Sequence, residues 1–189
     1  MKELCIAAAS LSASLSIRAQ GTFICDQQSA DESYYLEGSI GLGQQPLGQS
    51  FTPSFDSVGF VRIYASGGSS ATFLMNIRSD SITGTIIGTS DPLTVGLGGA
   101  STFLFSTPVS VTPGTTYYFQ PIIQSSVGGY AAFIRAYNYS GGMFIANGLE
   151  VPTKDFWFRE GIVVPEPSSI SLLLLGSGAL FWMRKLRRC

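Results

Sequence analysis

Residues 71–80 read ATFLMNIRSD, and their alternation sets the fold class. Phe73, Met75 and Ile77 fall on one side of an extended chain and Thr72, Asn76 and Arg78 on the other, with Leu74 alone out of pattern. Successive side chains of a strand point to opposite faces, so this period of two marks a half-buried β-strand. The same pattern spreads outward. VGFVRIYASGG (58–68) places Val58, Phe60 or Val61, and Ile63 on one face before a glycine turn at Gly67-Gly68. STFLFSTPVSV (101–111) and GTTYYFQPIIQSS (114–126) are joined by Thr112-Pro113-Gly114-Thr115, where Pro-Gly is a strong turn signal. YAAFIRAYNY (130–139), GGMFIANG (141–148) and DFWFREG (155–161) follow. Such β-branched and aromatic runs, recurring about every 10 to 15 residues between Gly, Ser, Asn and Asp, predict an all-β domain. The expected architecture is an antiparallel β-sandwich of jelly-roll or Greek-key type, with a single closed barrel as the alternative. No amphipathic helix is apparent outside the two ends.

Both ends are of another kind. Residues 163–189, VVPEPSSISLLLLGSGALFWMRKLRRC, combine a proline-bracketed acid, an apolar run and a basic cluster. The run from Ile170 to Met183 carries no charge but is shorter than the ~20 residues of an ordinary spanning helix. Arg184, Lys185, Arg187 and Arg188 would stay cytoplasmic by the positive-inside rule, leaving everything before Pro165 outside. A buried core helix ending in a basic turn is the competing reading. Gly176 and Gly178 and the lack of a polar face count against it. At the other end, Met1-Lys2-Glu3 leads into an apolar and Ser-rich stretch from Leu4 to Ile17, then Arg18-Ala19-Gln20-Gly21. This reads as a secretory signal peptide over 1–21, despite a weak basic start and an unusual Arg18. The predicted organisation is a signal helix at 1–21, a β-domain at 22–162 and a tail at 163–189 bearing a single hydrophobic helix.

Val164-Pro165-Glu166-Pro167-Ser168-Ser169, the leucine-rich stretch with its step at Gly176 and Gly178, and the basic 184–188 cluster together resemble the PEP-CTERM sorting signal of exosortase substrates. That resemblance implies a bacterial protein exported across the inner membrane, held there transiently, and processed near Pro165, Glu166 and Pro167 by a membrane-embedded exosortase. Those three residues would then be a recognition element for another enzyme. The prolines suit this, because they keep the segment extended and out of any helix. The middle of the chain also resembles adhesin-like, choice-of-anchor β-domains, through LGQSFTP (47–53), TGTIIGTSDPLTV (83–95), VTPGTTYYFQPII (111–123) and YSGGMFIANG (139–148). These pieces are turn and strand chemistry, and no site residues follow from them.

Between Gly21 and Pro167 five basic residues (Arg62, Arg78, Arg135, Lys154 and Arg159) face eleven acids, a net charge of −6. Such a domain repels phosphate backbones, so no nucleic-acid partner is expected. Cys25 is the one cysteine of this stretch, so no internal disulfide forms there; a small buried thiol is expected over an intermolecular bridge. The chain has no histidine, which removes Ser-His-Asp and Cys-His catalysis in their usual form and every His-ligated metal site. Carboxylates remain, and two of them suffice for a glycoside hydrolase. The acids are scattered beside turns, however, so no catalytic residue, metal ligand or cofactor is expected. DQQSADESYYLEG (26–38) gathers Asp26, Asp31, Glu32 and Glu37 without calcium-loop spacing, and reads as a solvated acidic loop.

Aromatic rings are the remaining candidates. In adjacent pairs such as Tyr34-Tyr35 and Tyr117-Tyr118 one ring of each faces outward if both lie in a strand. Trp157 faces away from both Phe156 and Phe158, so it is exposed if they are core. Trp157, Tyr118 and Tyr35 are therefore the candidate glycan-stacking positions. Three functions compete: a non-catalytic structural or adhesive protein of the envelope, surface or extracellular matrix; a module binding exopolysaccharide; and a secreted hydrolase, which needs two close carboxylates with separated pKa values. The first is expected. Its partners are exosortase, the inner membrane in passing, and an exopolysaccharide as a further candidate.

Overall fold

The structure, a computed structural model, describes residues 21–30, 39–67, 70–96, 98–126, 130–135 and 139–165. Among these residues all regular structure is β, with no helix. In chain order the strands are β1 (Thr22–Gln28), β2 (Ser39–Gly41), β3 (Gly48–Phe51), β4 (Ser57–Gly67), β5 (Ala71–Arg78), β6 (Ile86–Thr89), β7 (Leu93–Val95), β8 (Gly99–Ser110), β9 (Tyr117–Ser126), β10 (Tyr130–Arg135), β11 (Phe144–Ala146), β12 (Leu149–Val151), β13 (Asp155–Phe156) and β14 (Phe158–Val164).

They form two antiparallel sheets. The first runs β1-β14-β4-β10-β13, with β8 also paired to β4 and β2 to β10. The second runs β12-β11-β3-β9-β5-β6, with β7 also on β5. Consecutive strands mostly do not pair. The chain leaves the second sheet at β3, crosses to the first at β4, returns for β5 to β7, and crosses again at β8, β9 and β10. Local hairpins are few. One is β11–β12, where Asn147 and Gly148 both take positive φ (50° and 76°) between the paired Ala146 and Leu149. This is the backbone a two-residue turn needs to match strand twist.

One core is shared by both sheets. The opening stretch behaves as its period demands, since Phe73, Met75 and Ile77 are fully buried and Leu74 is only partly so. At the centre Phe119 of the second sheet meets Phe156 and Phe158 of the first at ring-centroid distances of 5.6 and 5.2 Å, and Phe51 at 6.1 Å. Burying rings of this size is the dominant favourable contribution to folding such a domain.

Two irregularities in the first sheet shape its outer face. A register shift between Val58 and Phe60 turns Val58, Val61 and Ile63 into the core, whereas Phe60 lies buried outside it, edge-on to Phe23 at 5.1 Å. This resolves the choice between Phe60 and Val61 left open by the sequence. A second shift, between Cys25 and Gln27, makes Asp26 a bulge residue in β1. Gly161, opposite Cys25, makes room for it: a Cβ there would lie 2.0 Å from the Ile24 carbonyl oxygen. The first and last strands thereby pair along their length, from Thr22↔Val164 to Gln28↔Arg159.

Candidate functional site

The Asp26 bulge organises a polar corner at one end of the core. Asp26 accepts hydrogen bonds from the Ser54 and Phe55 amides (2.7 and 3.0 Å), and from the Ser54 hydroxyl and Gln27 side chain. Burial alone would raise its pKa, but these donors outweigh burial and hold the carboxyl below its ordinary value. Glu160, inward-facing on β14 next to Val61 of β4, is the opposite case. It is fully buried, and neither carboxyl oxygen has a hydrogen-bond partner. Burial, and then the Asp26 charge, push its pKa up to about 8; the Gln27 amide opposes this without reaching hydrogen-bonding geometry. The Tyr139 hydroxyl donates to Gln27 Oε1 (3.2 Å) and accepts from the Thr52 amide (3.3 Å). Burial, helped by the charges of Glu160, Asp26 and Asp155, raises its pKa to about 12. Asp155 is shifted up by burial although Gln49 Nε2 (2.9 Å) and the Tyr139 amide (3.2 Å) both donate to it.

Asp26 and Glu160 thus carry the separated pKa values that a two-carboxylate hydrolase needs. Their placement differs from such a site. Glu160 has no solvent exposure, Asp26 is spent on fastening β1 to the 53–56 turn, and neither lines either of the two cavities below.

The first cavity opens on the outer face of the first sheet and measures about 110 Å³. Gln28, Arg159, Arg62 and Thr102 stand abreast across β1, β14, β4 and β8, as successive register partners. The cavity is lined by Arg159, Arg62 and Thr102 of that row, and by Phe23, Cys25 and Phe60. Phe23 is half exposed (49%) and Phe60 nearly buried, so the aromatic wall is one accessible ring backed by another. Cys25 is a free thiol whose pKa is raised, burial exceeding the opposing effect of the Arg159 guanidinium beside it. The second cavity, about 520 Å³ and more open, is a groove between β6 and β8 whose one carboxylate, Asp91, accepts the single Ser106 hydroxyl proton, shared between its two oxygens at 2.7 Å each.

The aromatic expectations divide three ways. Trp157 is only 2% exposed, which corrects the expectation of an outward, sugar-stacking ring. Its alternation against Phe156 and Phe158 holds, but it packs edge-on against Tyr64 at 6.0 Å and is covered there. Tyr118 is partly exposed while Tyr117 is core, as the adjacent-pair argument requires. Burial, then the charges of Glu150 and Asp80, raise the Tyr118 pKa. Tyr35 lies outside the described residues, with Asp31, Glu32 and Glu37. Sequence reasoning missed the Arg62–Arg159 cavity and the burial of Glu160. The alternation in FRE (158–160) carried part of the signal, since it puts Arg159 opposite in sense to Phe158 and Glu160.

Pro165 follows β14 directly and is exposed. Glu166, Pro167, Arg184, Lys185, Arg187 and Arg188, the apolar run between them, and residues 1–20 lie outside the described residues. Among the described residues no helix is long and apolar enough to cross a membrane, and no three acidic or thiol side chains are grouped as a metal site.

An antiparallel β-domain that ends at a proline and hands over directly to such a tail defines a class: an exported domain carrying its own processing signal. Residues 163–188 match the model of the PEP-CTERM protein-sorting motif. The motif indicates export and processing by exosortase at the membrane of the cell envelope. Its first two residues, Val163 and Val164, are the last two of β14. No curated protein matches the sequence.

Proposed function

We propose that this protein is an exported, non-catalytic unit of the cell surface or extracellular matrix, whose two sheets pack as a jelly-roll-type β-sandwich with a structural or adhesive role. The observation that carries this reading is the junction at Val163–Pro165. The sorting motif begins inside the last strand, so the folded β-domain is itself the cargo. Two separate sheets sharing one core, with repeated crossings between them, favour the sandwich over a single barrel. The enclosure of Glu160 supports a non-catalytic role, because a general acid must reach its substrate.

The test is the intact mass of the chain recovered from the envelope and medium of its native bacterium. The expected species begins near Gln20 to Thr22 and ends near Pro165 to Ser168. A recovered chain still bearing Arg187 and Arg188 would make the tail a plain membrane anchor and sink the matrix assignment.

A further inference from the structure

The geometry points to the Arg62–Arg159 cavity as a binding subsite for a carboxylated sugar, a uronate unit of an acidic polysaccharide. Two of the five basic residues between Gly21 and Pro167 line this one 110 Å³ space, in a domain whose net charge is negative. They are register partners on adjacent strands, a position that sets opposed side chains about 5 Å apart at Cβ. Guanidinium forks bind carboxylates through paired, charge-assisted N–H donors, which fixes orientation as well as energy. The opposite wall is the exposed ring of Phe23, held edge-on by Phe60, and it offers an apolar face to the C–H side of a pyranose ring. Thr102, next to Arg62 in the arginine row, adds a hydroxyl-bearing side chain to the arginine wall. A ligand with a carboxylate at one end and a sugar ring attached matches both walls at once; a bare inorganic anion matches only one. The bulge at Asp26 and the missing side chain at Gly161 bring β1, and with it Phe23 and Cys25, onto this face. The choice of a polysaccharide rests on the matrix location proposed above, whereas the anion-and-ring chemistry rests on the cavity alone.

Cys25 lines the same space and serves as a built-in reporter. The full chain, in detergent, is labelled with a maleimide, and modification of Cys25 is followed by peptide mass spectrometry, with oligogalacturonate, neutral cellohexaose or sodium sulfate present. Oligogalacturonate is expected to slow Cys25 labelling, and cellohexaose and charge-matched sulfate to leave it nearly unchanged. Arg62→Gln and Arg159→Gln are each expected to raise the protecting concentration roughly tenfold, as loss of one charge-assisted fork implies. Their melting temperatures should stay near that of the parent; the comparison among the three ligands on the unaltered chain needs no variant at all. No protection by oligogalacturonate, or equal protection in both variants, overturns the site. Equal protection by cellohexaose overturns the role of the arginines, and equal protection by sulfate overturns the sugar. A chain found processed in the matrix that fails this assay overturns the subsite alone, whereas mislocalisation with protection intact overturns the matrix reading alone.

Discussion

Phe158 and Glu160 sit two residues apart on β14, both inward-facing and both wholly buried, yet they belong to regions with opposite energetics. Phe158 joins Phe119, Phe51 and Phe156 in the aromatic centre, where removal from water is the gain. Glu160 lies in the polar corner with Asp26 and Tyr139, where the same removal costs, because no hydrogen bond replaces its lost hydration. One alternation pattern therefore places both side chains, and their chemistry alone decides what placement does to stability.

The largest effect comes from emptying the aromatic side of this comparison. Phe119→Ala removes a ring touching three others and should cost about 3–5 kcal/mol, read from chemical denaturation. Next comes the acid. Because the folded-state pKa of Glu160, about 8, lies above the ordinary 4.5, the folded form keeps a proton that the unfolded form releases. Its contribution is fully present below about pH 4.5 and is lost as pH rises through 8. Glu160→Gln is expected to leave stability at about pH 4 almost unchanged and to raise it at about pH 9 by roughly 3 kcal/mol, flattening the pH dependence. Equal stability changes at both pH values would show that Glu160 is hydrated when ionised. A smaller loss, about 1–3 kcal/mol, is expected for Gly161→Ala, whose new methyl collides with the Ile24 carbonyl oxygen. It should appear as faster amide exchange in β1 than in β5. Smallest is Asp26→Asn, about 1 kcal/mol, through weaker acceptance from the Ser54 and Phe55 amides. It should also lower the Glu160 pKa, since it removes a neighbouring negative charge.

How far the sequence reached follows the same division. The period of two in ATFLMNIRSD placed Phe73, Met75 and Ile77 in the core, and the pair rule separated Tyr117 from Tyr118, because alternation is a local property of the backbone. Partners across strands were beyond it. Arg62 and Arg159 meet only because β4 and β14 pair across most of the chain, and Asp26 faces Glu160 only through a bulge that alternation cannot foresee. Trp157 shows the limit most simply: its direction was legible, but the cover over it was not. The tail was legible from its motif alone, for its meaning lies in recognition by another protein rather than in its own packing.

The pairing of β14 has a mechanical consequence. It is hydrogen-bonded on one side to β1 and on the other to β4, and the processed tail leaves from its last residue. A pull on that tail acts along the strand axis, at right angles to both ladders of bonds. It loads the two ladders in shear, so that many bonds must break together instead of unzipping singly. Were the domain held by Val164, both ladders would share the load.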